Sequence, residues 1–167
     1  VFLANVAYYT RHVPTLFITL EMTAPEVYAV LRRVTRFHHP RFDDGLIEHA
    51  YPNLGIVDEN RLQTEDVALL VEEFVHDHGR PPELVFVDYL GYYAKGARGG
   101  SPVRETSNAV MQLKEEAKTH KVVIIAPHQV NRGAKDGKPF DADEARDSGV
   151  VEETGDFVFG CSSPTRP

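Results

Sequence analysis

Cysteine is almost missing from this chain: among 167 residues only Cys161 carries a thiol. An intramolecular disulfide and a zinc site built from several cysteines are thereby excluded. Long apolar runs are missing too. The longest, such as Val122-Val123-Ile124-Ile125-Ala126, extend over about five residues, against the ~20 that a bilayer-spanning helix requires. No positively charged leader followed by an apolar stretch opens the chain, so the sequence predicts no secretion, no membrane partner and a reducing, cytoplasmic setting. Basic excess is absent as well. Lysine and arginine total 18 against 25 acidic residues, a net charge of −7, which argues against a surface that coats nucleic acid all round but leaves room for local basic loops. The phosphate-cradling motif G-x-x-x-x-G-K-[ST] occurs nowhere in the chain. Histidines at 38, 39, 76 and 78 lack metal-ligand spacing and read as solvated surface.

What is present is a regular alternation of strand and helix signals. With 42% hydrophobic residues, residues 1–167 read as one domain with room for a core. Val1 to Arg11 has the look of a helix body without a start. Leu16–Leu20 reads as a buried strand, and Thr23-Ala24-Pro25-Glu26 as a capping box for a helix that turns Val27, Val30, Leu31, Val34 and Phe37 inward and stops at His38-His39-Pro40. Residues 40–53 read as irregular and 54–57 as a short strand. A second amphipathic helix begins at Thr64, with Val67, Leu70, Val71, Phe74 and Val75 inward, and ends at Gly79 and Pro81-Pro82. Strand Leu84–Val87, a glycine-rich loop Ala94–Ser101, and a helix from Pro102 to Thr119 with Val110, Leu113 and Ala117 inward come next. Strand Val122–Ala126, a loop over 130–145, a short helix or turn near 144–153 and a last strand Phe157–Phe159 complete the chain. Such alternation predicts an α/β fold, a mostly parallel sheet with helices on both faces.

Three of these strands end in polar groups: Leu16–Leu20 in Glu21, Val85-Phe86-Val87 in Asp88, and Val122–Ala126 in Pro127-His128-Gln129. Open α/β sheets bind ligands at the carboxyl ends of their strands. Asp88 has two readings, a cap on a turn or a carboxylate holding the hydration shell of magnesium, as the Walker B aspartate of P-loop ATPases does. Glu21 either begins a helix or orients and deprotonates an attacking water. Gln129 is either a loop amide or a contact to a γ-phosphate. Arg146-Asp147-Ser148-Gly149 is either a polar turn or a clamp on a nucleic-acid phosphate. Basic residues gather in two loops, Lys95, Arg98 and Arg104 in one and Arg132, Lys135, Lys138 and Arg146 in or beside the other. Tyr89, Tyr92 and Tyr93 read first as packing residues, with base stacking as the second reading.

Taken together, Val1-Phe2-Leu3-Ala4-Asn5-Val6-Ala7, Leu16-Phe17-Ile18-Thr19-Leu20-Glu21-Met22, Val87-Asp88-Tyr89-Leu90, Leu113-Lys114, Gln129-Val130-Asn131-Arg132 and Asp147-Ser148-Gly149-Val150-Val151-Glu152 resemble the motor domain of the DnaB-type replicative helicases. The resemblance covers essentially the whole chain. It implies a RecA-like P-loop NTPase core, ATP and Mg2+ as cofactors, and hydrolysis coupled to translocation on single-stranded DNA. It further implies Glu21 as catalytic glutamate, Asp88 as the Walker B aspartate reaching magnesium through water, and Gln129 as γ-phosphate sensor. Arg132, Arg146, Asp147 and Gly149, with Lys95 and Arg98 on the neighbouring loop, would line a DNA channel in a homo-hexamer. The family pattern has Glu where Asp147 stands. A primase or a helicase loader would be a partner, in a bacterial or phage-infected cell. In the family the phosphate loop immediately precedes the segment matching Val1–Ala7, and a Lys-x-Arg-x-Gly segment with an in-trans arginine follows; the expectation is a core that lacks both. Two rival expectations remain: a RecA/RadA-like recombinase, and a non-catalytic RecA-fold module that binds DNA or a partner.

Overall fold

The computed structural model describes residues 2–43, 45, 47–59, 62, 66–95, 101–128 and 148–160. In chain order the elements are α1 (Phe2–Tyr9), β1 (Thr15–Thr19), α2 (Ala24–His38), α3 (Ile47–Ala50), β2 (Leu54–Asp58), α4 (Asp66–His78), β3 (Leu84–Asp88), α5 (Leu90–Ala94), α6 (Pro102–His120), β4 (Val123–Ile125) and α7 (Ser148–Thr154). The strands form one parallel sheet in the order β2-β1-β3-β4.

Side chains alternate across a strand, and the two central strands divide accordingly. Leu16, Ile18, Val85 and Val87 meet Val67, Leu70, Val71 and Phe74 of α4, Leu90 and Tyr93 of α5, and Ala109 and Leu113 of α6. Phe17, Leu84 and Phe86 turn the other way, onto Leu3, Ala4 and Ala7 of α1, Val27, Leu31 and Val34 of α2, and Ile47 of α3. On that side the Phe17 and Phe86 rings meet edge to face at 5.5 Å. Both faces are covered, so β1 and β3 are apolar along nearly their whole length, as a doubly covered parallel sheet demands.

Local chemistry explains the helix ends. The Glu26 carboxylate accepts hydrogen bonds from the Thr23 amide at 2.8 Å and the Thr23 hydroxyl at 2.9 Å, completing the expected capping box. α6 opens with Pro102 after Ser101, whose hydroxyl accepts from the Arg104 amide, a position where proline loses nothing. α4 stops at Gly79, which adopts φ +69° just past the last turn. Gly55 matters for a different reason. A Cβ there would lie 2.9 Å from Cδ2 of Phe74, a ring buried in the core and backed by a parallel stack on His78 at 4.1 Å. The missing side chain lets α4 approach β2. Farther on, Lys114 of α6 pairs with Asp156, just beyond α7, and that bond holds the Asp156 carboxyl below its ordinary range.

Several expectations are corrected. Phe37 is 81% exposed: the 100° step of the helix puts it on the flank of the Val27–Leu31–Val34 line. His38 takes the inward place instead, stacked on Tyr8 at 4.3 Å. Val75 is on the flank of α4 for the same reason and is 37% exposed. His38 and His78 therefore lie on aromatic rings and are half-buried, while His39 and His76 are exposed as anticipated. Residues 40–53, read as irregular, include α3, and a further short helix, α5, follows β3. Phe157–Phe159 forms no strand. Its alternation reads as β, but a strand needs a ladder partner, and here Phe157 and Phe159 stack on each other at 6.3 Å while exposed. The helix start placed at Thr64 lies outside the described residues. No helix of the described residues is long and apolar enough to cross a membrane.

Filling the Gly55 position should loosen the α4 contact. Gly55→Ala is expected to destabilise the fold by about 1–3 kcal/mol, the usual cost of overpacking a tight core, read as a lower urea midpoint at unchanged slope.

Candidate active site

β1 pairs with β3 so that Thr19 stands opposite Asp88, and with β2 so that Thr19 stands opposite Asp58. Three strands therefore end at one height, ~4.8 Å apart, at the edge where parallel sheets hold ligands. Thr19 is buried at 1% exposure. Its hydroxyl donates to the Met22 carbonyl at 2.9 Å and accepts from the Met22 amide at 3.1 Å. The Leu20 amide donates to the Asp88 carbonyl at 2.9 Å. These bonds hold the turn Leu20-Glu21-Met22 over the end of β3.

Glu21, in that turn, is exposed, and Asp88 is half-buried. Burial pushes the Asp88 carboxyl above its ordinary range, and the charge of Glu21 adds to the push. The Tyr89 hydroxyl is raised as well, by burial first, then by Tyr92 and Glu21. Glu21 is thus within electrostatic reach of Asp88, the last residue of β3, and of Tyr89, which follows it. The Asp88–Tyr89 peptide bond is cis. The Leu90 amide donates to the Pro127 carbonyl at 2.9 Å, which ties the end of β4 to the start of α5. A cleft of about 140 Å³ opens at this edge, lined by Phe2, Leu3, Met22, Val30, Asp88 and Pro127 among others.

Two like-charged carboxylates with oxygen donors only, one of them poorly solvated, suit a hard divalent cation. Among the described residues no group of three or more His, Cys, Asp or Glu side chains could form a protein-only cage. Magnesium does not need one, since it completes its shell with water and substrate phosphates.

Of the residues singled out in the sequence, Glu21 and Asp88 come together. Lys95 caps the end of α5 and lies over the Tyr92 ring at 4.1 Å. Gly149 is exposed in the first turn of α7, with open space where a Cβ would point. Gln129, Arg98, Arg132, Arg146 and Asp147 lie outside the described residues. Tyr93 is fully buried, as a packing residue is, whereas Tyr92 is 37% exposed. Two residues escaped the sequence reading: Thr19, which clamps the Glu21 turn, and Asp58. Val57-Asp58 repeats the strand-then-carboxylate signal of Val87-Asp88, so the same pattern could have found it.

Comparison with known proteins bears on the whole of this arrangement. A family model described as the DnaB-like helicase C terminal domain matches residues 1–163. The replicative DNA helicase DnaB of Mycobacterium intracellulare is 38% identical over 84 residues, 48% of this chain and 14% of that protein. Two solved structures share the fold. The ATPase domain of G40P superposes with a TM-score of 0.71 at 20% identity over 92% of this chain and 62% of that one. A DnaB-like replicative helicase, described with its interactions with primase, gives 0.67 at 20% identity over 92% of this chain and 44% of that one. The chain thus spans less than two thirds of each of these relatives. The fold they share is the RecA-like α/β core expected from the sequence.

The electrostatics of the pair yields a sign that can be measured. A carboxyl whose folded pKa lies above its unfolded value disfavours folding once it is ionised, and that cost disappears below both values. In metal-free buffer Asp88→Asn should therefore unfold at higher temperature than wild type at neutral pH. The gap should close as pH falls through the raised Asp88 range toward the ordinary aspartate value. A gap that widened with acidification would contradict the burial of an unpaired charge.

Proposed function

This chain belongs to the DnaB-like helicase C-terminal domain family, and from that premise we propose that residues 1–167 are one ATPase core domain of a replicative DNA helicase, coupling ATP hydrolysis to movement along single-stranded DNA. The observation that carries this reading is the β1–β3 register, which brings the Glu21 turn over the end of the strand bearing Asp88.

ATP and Mg2+ are the proposed substrate and cofactor. Asp88, through water, is the residue that would hold the ion, which when bound offsets the charge of the phosphates. Glu21 acts as general base. Its exposed carboxylate is open to water, and its backbone is held in the turn after β1 by the Thr19–Met22 and Leu20–Asp88 bonds, so the proton of the attacking water passes to a group already placed at the sheet edge. Phe2, Leu3 and Met22 give the cleft beside the site a largely apolar lining. Gln129, four residues past the end of β4 in sequence, is proposed to contact the γ-phosphate and to pass its loss to the segment that follows.

Lys95, Arg98, Arg132, Arg146, Asp147 and Gly149 are proposed to meet DNA, through phosphates and without reading bases. Lys95, Arg98, Arg132 and Arg146 are cations in a chain whose net charge is −7. A ring of identical subunits, a homo-hexamer, is the proposed working assembly, with primase or a loader as a partner and the bacterial or phage-infected cytoplasm as the setting.

Two variants of the intact protein test this reading. Glu21→Gln should retain nucleotide binding while hydrolysis drops by roughly two to four orders of magnitude, the range of general-base catalysis; wild-type turnover would remove Glu21 from the mechanism.

Arg146→Ala should weaken binding to single-stranded DNA about equally for all sequences and flatten the salt dependence by about one unit. Undiminished affinity across a salt titration would move the DNA contact elsewhere.

A further inference from the structure

We propose that Asp58, at the end of β2, is a positioning residue that holds Glu21 in place by anchoring the start of α2; this rests on the reading of Glu21 as the water-activating base. Glu21 lies in the short connection between β1 and α2, and the two sides of that connection are held differently. On the strand side the sheet itself does the holding, through the Thr19 clamp on Met22 and the Leu20–Asp88 bond. On the helix side the Thr23 amide bonds to Glu26, which belongs to α2 and moves with it. Val27, Leu31 and Val34 pack the body of α2 on the sheet, and its first residue has a separate, polar tie. Oδ2 of Asp58 supplies it, accepting from the Ala24 amide at 2.8 Å across 34 residues of sequence.

The register makes this tie effective. Asp58 stands opposite Thr19, as Asp88 does on the other side, so the connection is anchored on β2 and β3 with Glu21 between the anchors. The bond joins a carboxylate to an amide at the positive end of a helix, which makes it stronger than a neutral hydrogen bond. The bond is exposed, and an exposed bond contributes little to global stability. Its effect is local: without it the first turn of α2 frays, and Glu21 gains freedom at the edge of the sheet. Misplacement of a catalytic group by ~1 Å can cost a hundredfold in rate.

The test uses the intact protein, with Asp58→Ala, Asp58→Asn, Glu21→Gln and the Glu21→Gln/Asp58→Ala double variant, reading kcat and KM for ATP and the melting temperature of each. Asp58→Ala should lower kcat roughly ten- to a hundredfold with KM for ATP changed less than about twofold and little change in melting temperature. Asp58→Asn, which keeps an acceptor oxygen, should recover most of the rate. In the Glu21→Gln background Asp58→Ala should have no further effect, because the base it positions is gone. A loss of kcat of equal size in both backgrounds, or a fall in melting temperature with kcat intact, would overturn the anchor and leave Asp58 an ordinary helix cap. Wild-type turnover in Glu21→Gln would instead overturn the reading of Glu21, and the anchor with it. Loss in Glu21→Gln beside full activity in Asp58→Ala would overturn the anchor alone.

Discussion

Burying β1 on both faces is the constraint from which the rest of the structure follows. Its amides and carbonyls have no access to water there, and an unpaired buried backbone group costs as much as a lost hydrogen bond. They must pair with β2 and β3, and alternation of side chains permits only the registers that send Phe17 to one layer and Leu16 and Ile18 to the other. A slip of one residue would turn every side chain to the wrong face. Thr19 is consequently locked opposite Asp58 and Asp88, and the polar ends of three strands have no freedom to be anywhere but level.

The same burial makes the site electrostatically uneasy. Asp88 lies where solvation is poor and a second carboxylate is near, so its ionised form is disfavoured in the free protein. Structural acids in this fold behave in the opposite way. Glu26, bonded to Thr23, and Asp156, bonded to Lys114, both have lowered pKa values. The contrast separates carboxylates that complete the fold from one that the fold leaves wanting a cation.

The central strands and the long amphipathic helices were legible in the sequence because burial on two faces or one stripe writes itself as apolar runs or a 3.6-residue period. Thr23-Ala24-Pro25-Glu26 announced α2 with the bonds it then makes. Glu21 and Asp88 were legible as a pair because each ends such a run. Less was readable where tertiary partners decide. α3 and α5 are too short for a period to stand out, and Phe37 and Val75 differ from inward positions by only a fraction of a helical turn. Phe157–Phe159 has strand-like alternation without a neighbouring strand to pair with. Asp58 went unnoticed because β2 is interrupted by Gly55, a residue that weakens a strand signal and is explained only by the ring of Phe74 above it.

α6 joins parts of the molecule that are distant in sequence. It is 19 residues long, a rod of ~28 Å. The segment 96–100 is bounded by α5 and α6, which pack on each other; the segment 129–147 ends in α7, which packs on α6 and is fastened beyond its end by Lys114–Asp156. One stiff body therefore serves as a common mount for the flanks of both segments. A tilt of that rod would carry α5 and α7 with it, because both are packed on the same helix.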